Sequence, residues 1–154
     1  MLDYLAKIVN GSDLKRDGYK RFIKDYLALV RPGYRDFKYR NGNQDLPEQM
    51  YHVLRCGIVH SFSLIPDSTG VNPVGRDRSI VLCHRLQCTE KGWQHLMIYT
   101  TEKISDGALF VAEDFIEDIG RAIELIFDRA QKNPTLSRNI ENWLAQHPPV
   151  LGGF

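Results

Sequence analysis

No apolar run in these 154 residues approaches the ~20 needed to cross a bilayer as a helix, so no membrane association is expected. The opening stretch, MLDYLAKIVNGSD, carries an acid at position 3 and no basic segment ahead of an apolar one. It does not read as a secretory signal. Cysteine is scarce: Cys56, Cys83 and Cys88 are an odd number without framework spacing. That excludes a disulfide-stapled scaffold and suits reduced thiols in the cytoplasm. CHRLQC adds His84 to two of them, but there is no Cys-x-x-Cys pair and no second ligand pair, so no metal and no cofactor is expected. Neither sign of charge dominates, the net being +1. What remains is 43% hydrophobic and 25% charged, the composition of one globular domain spanning 1–154 with a core of its own.

Charge is distributed less evenly than its sum suggests. Residues 15–40 hold nine Lys or Arg against three Asp, and residues 101–128 hold eight acids against Lys103 and Arg121. The basic stretch also carries Tyr19, Phe22, Tyr26, Tyr34, Phe37 and Tyr39. Cations interleaved with aromatics suit a phosphate backbone with stacked bases. Two other readings stand beside it. The aromatics are core and the cations a solvated face, or the basic and acidic stretches pair with each other, within one chain or across a dimer.

The periodicity predicts a short helix over 2–9 and a longer one over 13–31, closed by RPG. A turn-rich stretch leads to Pro47, placed where the first turn of a helix accepts proline, and a helix over 47–62 with Met50, Val53, Leu54 and Ile58 inward. Beyond the loop 66–77 the period changes. RSIVLCHRLQ, WQHLMIYT and GALFVAE are short, rich in β-formers and separated by turn-like CTEKG and EKISDG, which predicts a small antiparallel sheet. Helical spacing returns at 113, with Glu113, Asp114, Glu117 and Asp118 in the first turns, where the helix dipole favours acids. Asn133 and Pro134 open a last helix, about 135–146. The expected fold class is therefore mostly α (α+β), a helical bundle with an antiparallel β insertion at about 78–112.

The segment YHVLRCGIVHSF, 51–62, holds the chemistry. A guanidinium at Arg55 grips a phosphodiester through two donors, and an imidazole at His60 can move a proton near neutrality. With RNA the nucleophile is the substrate's own 2′-hydroxyl, and no metal is required. Five residues on a regular helix separate side chains by ~140°, so the pair converges only if the helix distorts, the arginine folds back, or the site closes across a dimer. The spacing alone is weak, because twelve arginines and five histidines give about 0.4 such pairs by chance. Arg78 and His84 form a similar pair in a predicted strand. The plain alternative is an Arg55 paired with an acid and a satisfied interior His60. A small-molecule site near Trp93 or Tyr99 has no positive sign in the sequence.

In its helical setting YHVLRCGIVHSF resembles the signature of HEPN domains, an arginine followed by four to six residues and a histidine. LRCGIVHSF is similar to the arginine-glycine-hydrophobic-histidine form of small bacterial members. VAEDFIEDIGRAIELI resembles the helix after a β-rich insertion in one such group. The resemblance covers about 13–65 and 107–130. It implies a HEPN-like helical bundle, a homodimer, and a metal-independent endoribonuclease leaving a 2′,3′-cyclic phosphate and a 5′-hydroxyl. Arg55 would hold the scissile phosphate and His60 act as acid or base. Lys20, Lys24, Arg31 and Arg35 of the basic stretch would guide the strand, with His52, about two turns before His60, lining the same groove. Many members carry Asn, Asp or His directly after the arginine, where this chain has Cys56, a weaker hydrogen-bond partner. The alternative is a non-catalytic HEPN-like dimeric binding or scaffold protein.

Overall fold

The structure is a computed structural model that describes residues 2–11, 16–40, 45–57, 78–102 and 106–147, and of 55–57, 78 and 79 the backbone alone. Helix α1 is Leu2–Asn10. Helix α2 begins as Arg16–Phe22, widens to a π-helical stretch at Ile23–Leu27 and closes as Ala28–Val30. One turn, α3, covers Gly33–Asp36. Helix α4 starts as Leu46–Gln49 and continues π-helical through Met50–Gly57. Asp45 caps it, accepting the Glu48 N–H at 3.1 Å, and Pro47 sits in its first turn, where the missing N–H costs nothing. Of the predicted 47–62 helix, residues from Ile58 onward, His60 among them, lie outside the described residues.

Three strands follow: β1, Arg78–Cys83; β2, Met97–Tyr99; and β3, Asp106–Val111. Their order is β1-β3-β2. The predicted sheet is present but not antiparallel throughout. β3 pairs antiparallel with β2, Ile98 opposite Ala108, and parallel with β1, Ile80 opposite Ala108. The reason lies in the predicted strand 78–87, which ends early. His84 takes the N-cap of a helix, α5, Arg85–Glu90, its Nδ1 accepting the Leu86 N–H at 3.2 Å. That helix and β2 supply the long connection a parallel pair needs.

The sheet has two apolar faces. Ile80, Ala108 and Phe110 join the main core with Phe22, Ile23, Leu27, Leu46, Met50, Val53 and the inner faces of the last two helices. Val81, Cys83, Leu109 and Val111 turn to a smaller cluster with Cys88, Trp93, Met97 and Tyr99. Alternation along each strand divides the two. Helix α6, Ala112–Ala130, buries Ile119, Ala122 and Ile126, and α7, Pro134–Gln146, buries Leu136 and Ile140. Asn133 caps α7 as predicted, its Oδ1 accepting from Thr135 and Leu136 N–H. The protein is mostly helical with one small mixed sheet, an α+β fold. No helix among the described residues is long and apolar enough to cross a membrane.

Candidate functional site

Two polar centres stand among the described residues. The first lies where α2 meets the start of α4. Glu48 is nearly enclosed, its side chain 4% exposed, because Leu46 and Met50 on either side of it are core. Arg16, Lys20 and His52 close on its two oxygens: Lys20 Nζ at 2.8 Å, His52 Nε2 at 2.8 Å, and Arg16 Nη2 in direct contact. Lys24 reaches the cap residue Asp45 at 2.6 Å, with Lys20 3.9 Å from it. Arg16, Lys20 and Lys24 recur every four residues and so form one ridge on α2. Burial pulls the Glu48 carboxyl pKa up, but hydrogen bonds from Lys20, Arg16 and His52 outweigh it and hold the group below the usual carboxylate range. Three cations and a histidine here share two carboxylates, with Asp17 also acting on Arg16.

Arg55 stands on the same helix. From Met50 to Gly57 the winding is π-helical, with hydrogen bonds running to the fifth residue. At roughly 4.4 residues per turn, side chains five apart then lie within about 50° of one another instead of ~140°. The Arg55 side chain and the whole of His60 lie outside the described residues.

The second centre was not read from the sequence. Asp118 on α6 is buried, its side chain 1% exposed, and Arg31 clamps it with two donors, Nε at 2.6 Å and Nη2 at 3.1 Å. The Tyr34 hydroxyl donates to Asp118 Oδ2 at 3.1 Å and lies 3.0 Å from His95 Nε2. His95 Nδ1 accepts the Val111 N–H at 3.0 Å. That bond fixes the tautomer: Nε2 carries the hydrogen and donates to the Tyr34 oxygen. Burial, and then the Arg31 charge, push the His95 pKa down to about 4. The Tyr34 hydroxyl is driven far above its ordinary value, first by burial and then by Asp118. Both groups are therefore neutral, and both histidine nitrogens are occupied. The chain His95–Tyr34–Asp118–Arg31 is a brace rather than a proton shuttle. Leu96, the next residue, has φ of 62°, a left-handed conformation unusual for leucine, held by its N–H bond to Leu109 O at 2.7 Å.

Beside the brace is a cavity of about 420 Å³, lined by Arg31, Arg85, Cys88, Trp93, His95 and Asp114 among others. Arg85 is taken up by Asp114 at 2.6 Å and Glu117 at 2.7 Å, and His84 reaches Glu113 at 2.9 Å. The acids at the start of α6 thus hold α5 in addition to facing the helix dipole.

The residues singled out from the sequence fall in three places. Lys20, Lys24 and His52 meet at the Glu48 centre. Arg31 belongs to the brace. Arg35 lies apart, exposed and paired with its neighbour Asp36 at 2.8 Å. Tyr34, His95 and Asp118 were missed because 61 and 84 residues separate Tyr34 from its two partners, and no local spacing marks such a group. No family model matches the chain, and neither the curated proteins nor the solved structures hold a match.

Proposed function

We propose that the chain is a HEPN-type endoribonuclease that cleaves RNA without a metal, as a homodimer in the cytoplasm. One observation carries the reading: the helix that bears Arg55 is π-helical over Met50–Gly57, and that winding, continued to His60, would bring the two side chains to one side, where an α-helix sets residues five apart on different sides. Arg55 holds the scissile phosphate and stabilises the charge that grows on its oxygens. His60 takes the 2′-hydroxyl proton or supplies one to the leaving 5′-oxygen. The ridge of Arg16, Lys20 and Lys24 beside the same helix lies along the path of the strand.

The test is cleavage of RNA in EDTA by the wild type, Arg55→Ala and His60→Ala. Cleavage leaving 2′,3′-cyclic phosphate ends, reduced at least about 100-fold in each variant, is expected. Equal, negligible cleavage by all three ends the enzymatic reading.

A second reading has an observation of its own. Lys20, Lys24, Arg31 and Arg35 each engage a carboxylate, which favours a non-catalytic HEPN-like dimeric binding or scaffold protein. A stable dimer in sedimentation, without cleavage, would select it.

A further inference from the structure

Cys83 ends β1 and Cys88 lies five residues later in α5. Both are buried, with Leu109 and Val111, in the smaller cluster beneath the sheet, and neither is in a disulfide. One carbonyl ties them together. The His84 oxygen accepts the Cys88 N–H at 3.0 Å, and the Cys83 thiol lies 3.6 Å from that same oxygen. The Cys83 Sγ is also 3.5 Å from Gln87 Oε1, one residue short of Cys88. Burial, and then the neighbouring Cys83 thiol, pushes the Cys88 pKa up to about 12. Cys88 lines the 420 Å³ cavity next to Trp93 and Thr89, which gives a solute as small as hydrogen peroxide a route to the pair.

We propose that Cys83 and Cys88 are an oxidation site, a dithiol that a small peroxide converts to an intramolecular disulfide. In the first step one sulfur attacks a peroxide oxygen. The O–O bond breaks, a sulfenic acid forms, and hydroxide leaves with the thiol proton as water. In the second step the other sulfur attacks the sulfenic sulfur, the S–S bond forms, and the S–O bond breaks to release a second water. Two thiols are oxidised and one peroxide is reduced. Burial keeps the Cys88 thiol neutral, so the reaction is slow beside that of an exposed thiolate. The bond would fix α5 to the end of β1, and α5 is the helix whose Arg85 holds Asp114 and Glu117 of α6.

The experiment exposes the full-length native chain to hydrogen peroxide, quenches it, and alkylates the remaining thiols under denaturing conditions. Trypsin cuts at Arg85, between the two cysteines, so a disulfide appears as a linked pair of peptides. The expected result is a loss of roughly 2 Da from the intact chain before alkylation, a Cys83–Cys88 linked pair, Cys56 still alkylated, and full reversal by dithiothreitol. Cys56→Ser should lose the same mass. Cys88→Ser should lose the link and leave Cys83 as a sulfenic acid, trapped by a 1,3-dione. The proposal is overturned if the wild type gains sulfinic acid without a linked pair, pairs through Cys56, or does not change mass. The wild-type peptide map decides the matter even where a variant fails to fold.

Discussion

Protonating His95 should destabilise this protein, and the size of the effect follows from its surroundings. In the folded chain His95 is enclosed between the Tyr34 hydroxyl and the Val111 N–H, with Arg31 and the carboxylates of Asp118 and Asp114 as the charges facing it. An imidazolium needs a hydrogen on Nδ1, which would point at the hydrogen of Val111. Its pKa is accordingly depressed from an ordinary 6.5 to about 4. The unfolded chain binds the proton more tightly than the folded one, so stability is full above pH 6.5 and is lost as the pH falls toward 4. At roughly 1.4 kcal/mol per pH unit the whole effect comes to about 3 kcal/mol, of which about 2 kcal/mol falls between pH 6.5 and 5. The native carboxylates with lowered pKa values, Asp36, Glu48 and Glu113, titrate below that window. Urea unfolding at several pH values, wild type against His95→Asn, measures it. The asparagine Oδ1 can still accept from Val111 but does not titrate. A steeper loss in the wild type, by about 2 kcal/mol over the window, is expected. Parallel curves for the two proteins, or a His95 ring resonance titrating with a midpoint above 6, would refute the argument.

Three further outcomes follow from the same geometry. Glu48→Gln removes the charge from an enclosed site facing Arg16, Lys20 and His52, and because those partners reach solvent, urea unfolding at pH 7 should show a loss of about 1–2 kcal/mol. The Glu48 contribution itself is present above the unfolded carboxylate pKa and is lost as pH falls through the depressed folded value. Asn133→Ala frees two N–H groups at the start of α7 and should cost about 1 kcal/mol by thermal or urea unfolding. If the chain binds RNA as proposed, few counterions would leave, because the ridge cations are already shared with carboxylates. The affinity of His60→Ala for a single-stranded RNA should fall with salt at a log–log slope no steeper than about −1.5, from two phosphates. A slope near −4, as six liberated phosphate contacts give, would put the whole basic stretch on the strand.

Much of the fold was legible because its helices obey their local rules. The Asn133–Pro134 cap, the acids opening α6 and the spacing of Ile119, Ala122 and Ile126 each mark a boundary or a face by themselves. The sheet was legible in its existence and misread in its pairing. RSIVLCHRLQ has β-forming residues through Cys83, but nothing in it announces that His84 will cap a helix. Whether two strands run parallel depends on what the connection between them becomes, which is a tertiary matter. The π-winding of α2 and α4 escaped for a related reason: apolar residues at helical spacing fit an α-helix and a slightly wider one alike over a few turns.

The basic stretch shows why composition reached the site only in part. Its aromatics, Tyr19, Phe22, Tyr26, Tyr34, Phe37 and Tyr39, are all buried in the main core, so they are not stacking platforms. Its paired cations divide among several acids, two groups of which lie far apart in the chain: Asp45 with Glu48, and Asp118. Lys20 and Lys24 turn to the first residues of α4, whereas Arg31 crosses to α6. Interleaving of the two residue types is what an amphipathic helix produces whenever one face is core and the other is charged, and a nucleic-acid groove adds no distinct signature to it. The pairing has a consequence of its own. Cations anchored on an enclosed carboxylate are held in fixed positions at little further entropic cost, so a phosphate meeting them finds a preorganised but partly neutralised surface. Such a surface orients a strand better than it attracts one. If the proposed ribonuclease reading holds, recognition of RNA would therefore come mainly from Arg55 and His60, and losing that pair should abolish cleavage while leaving the ridge and its ion pairs intact.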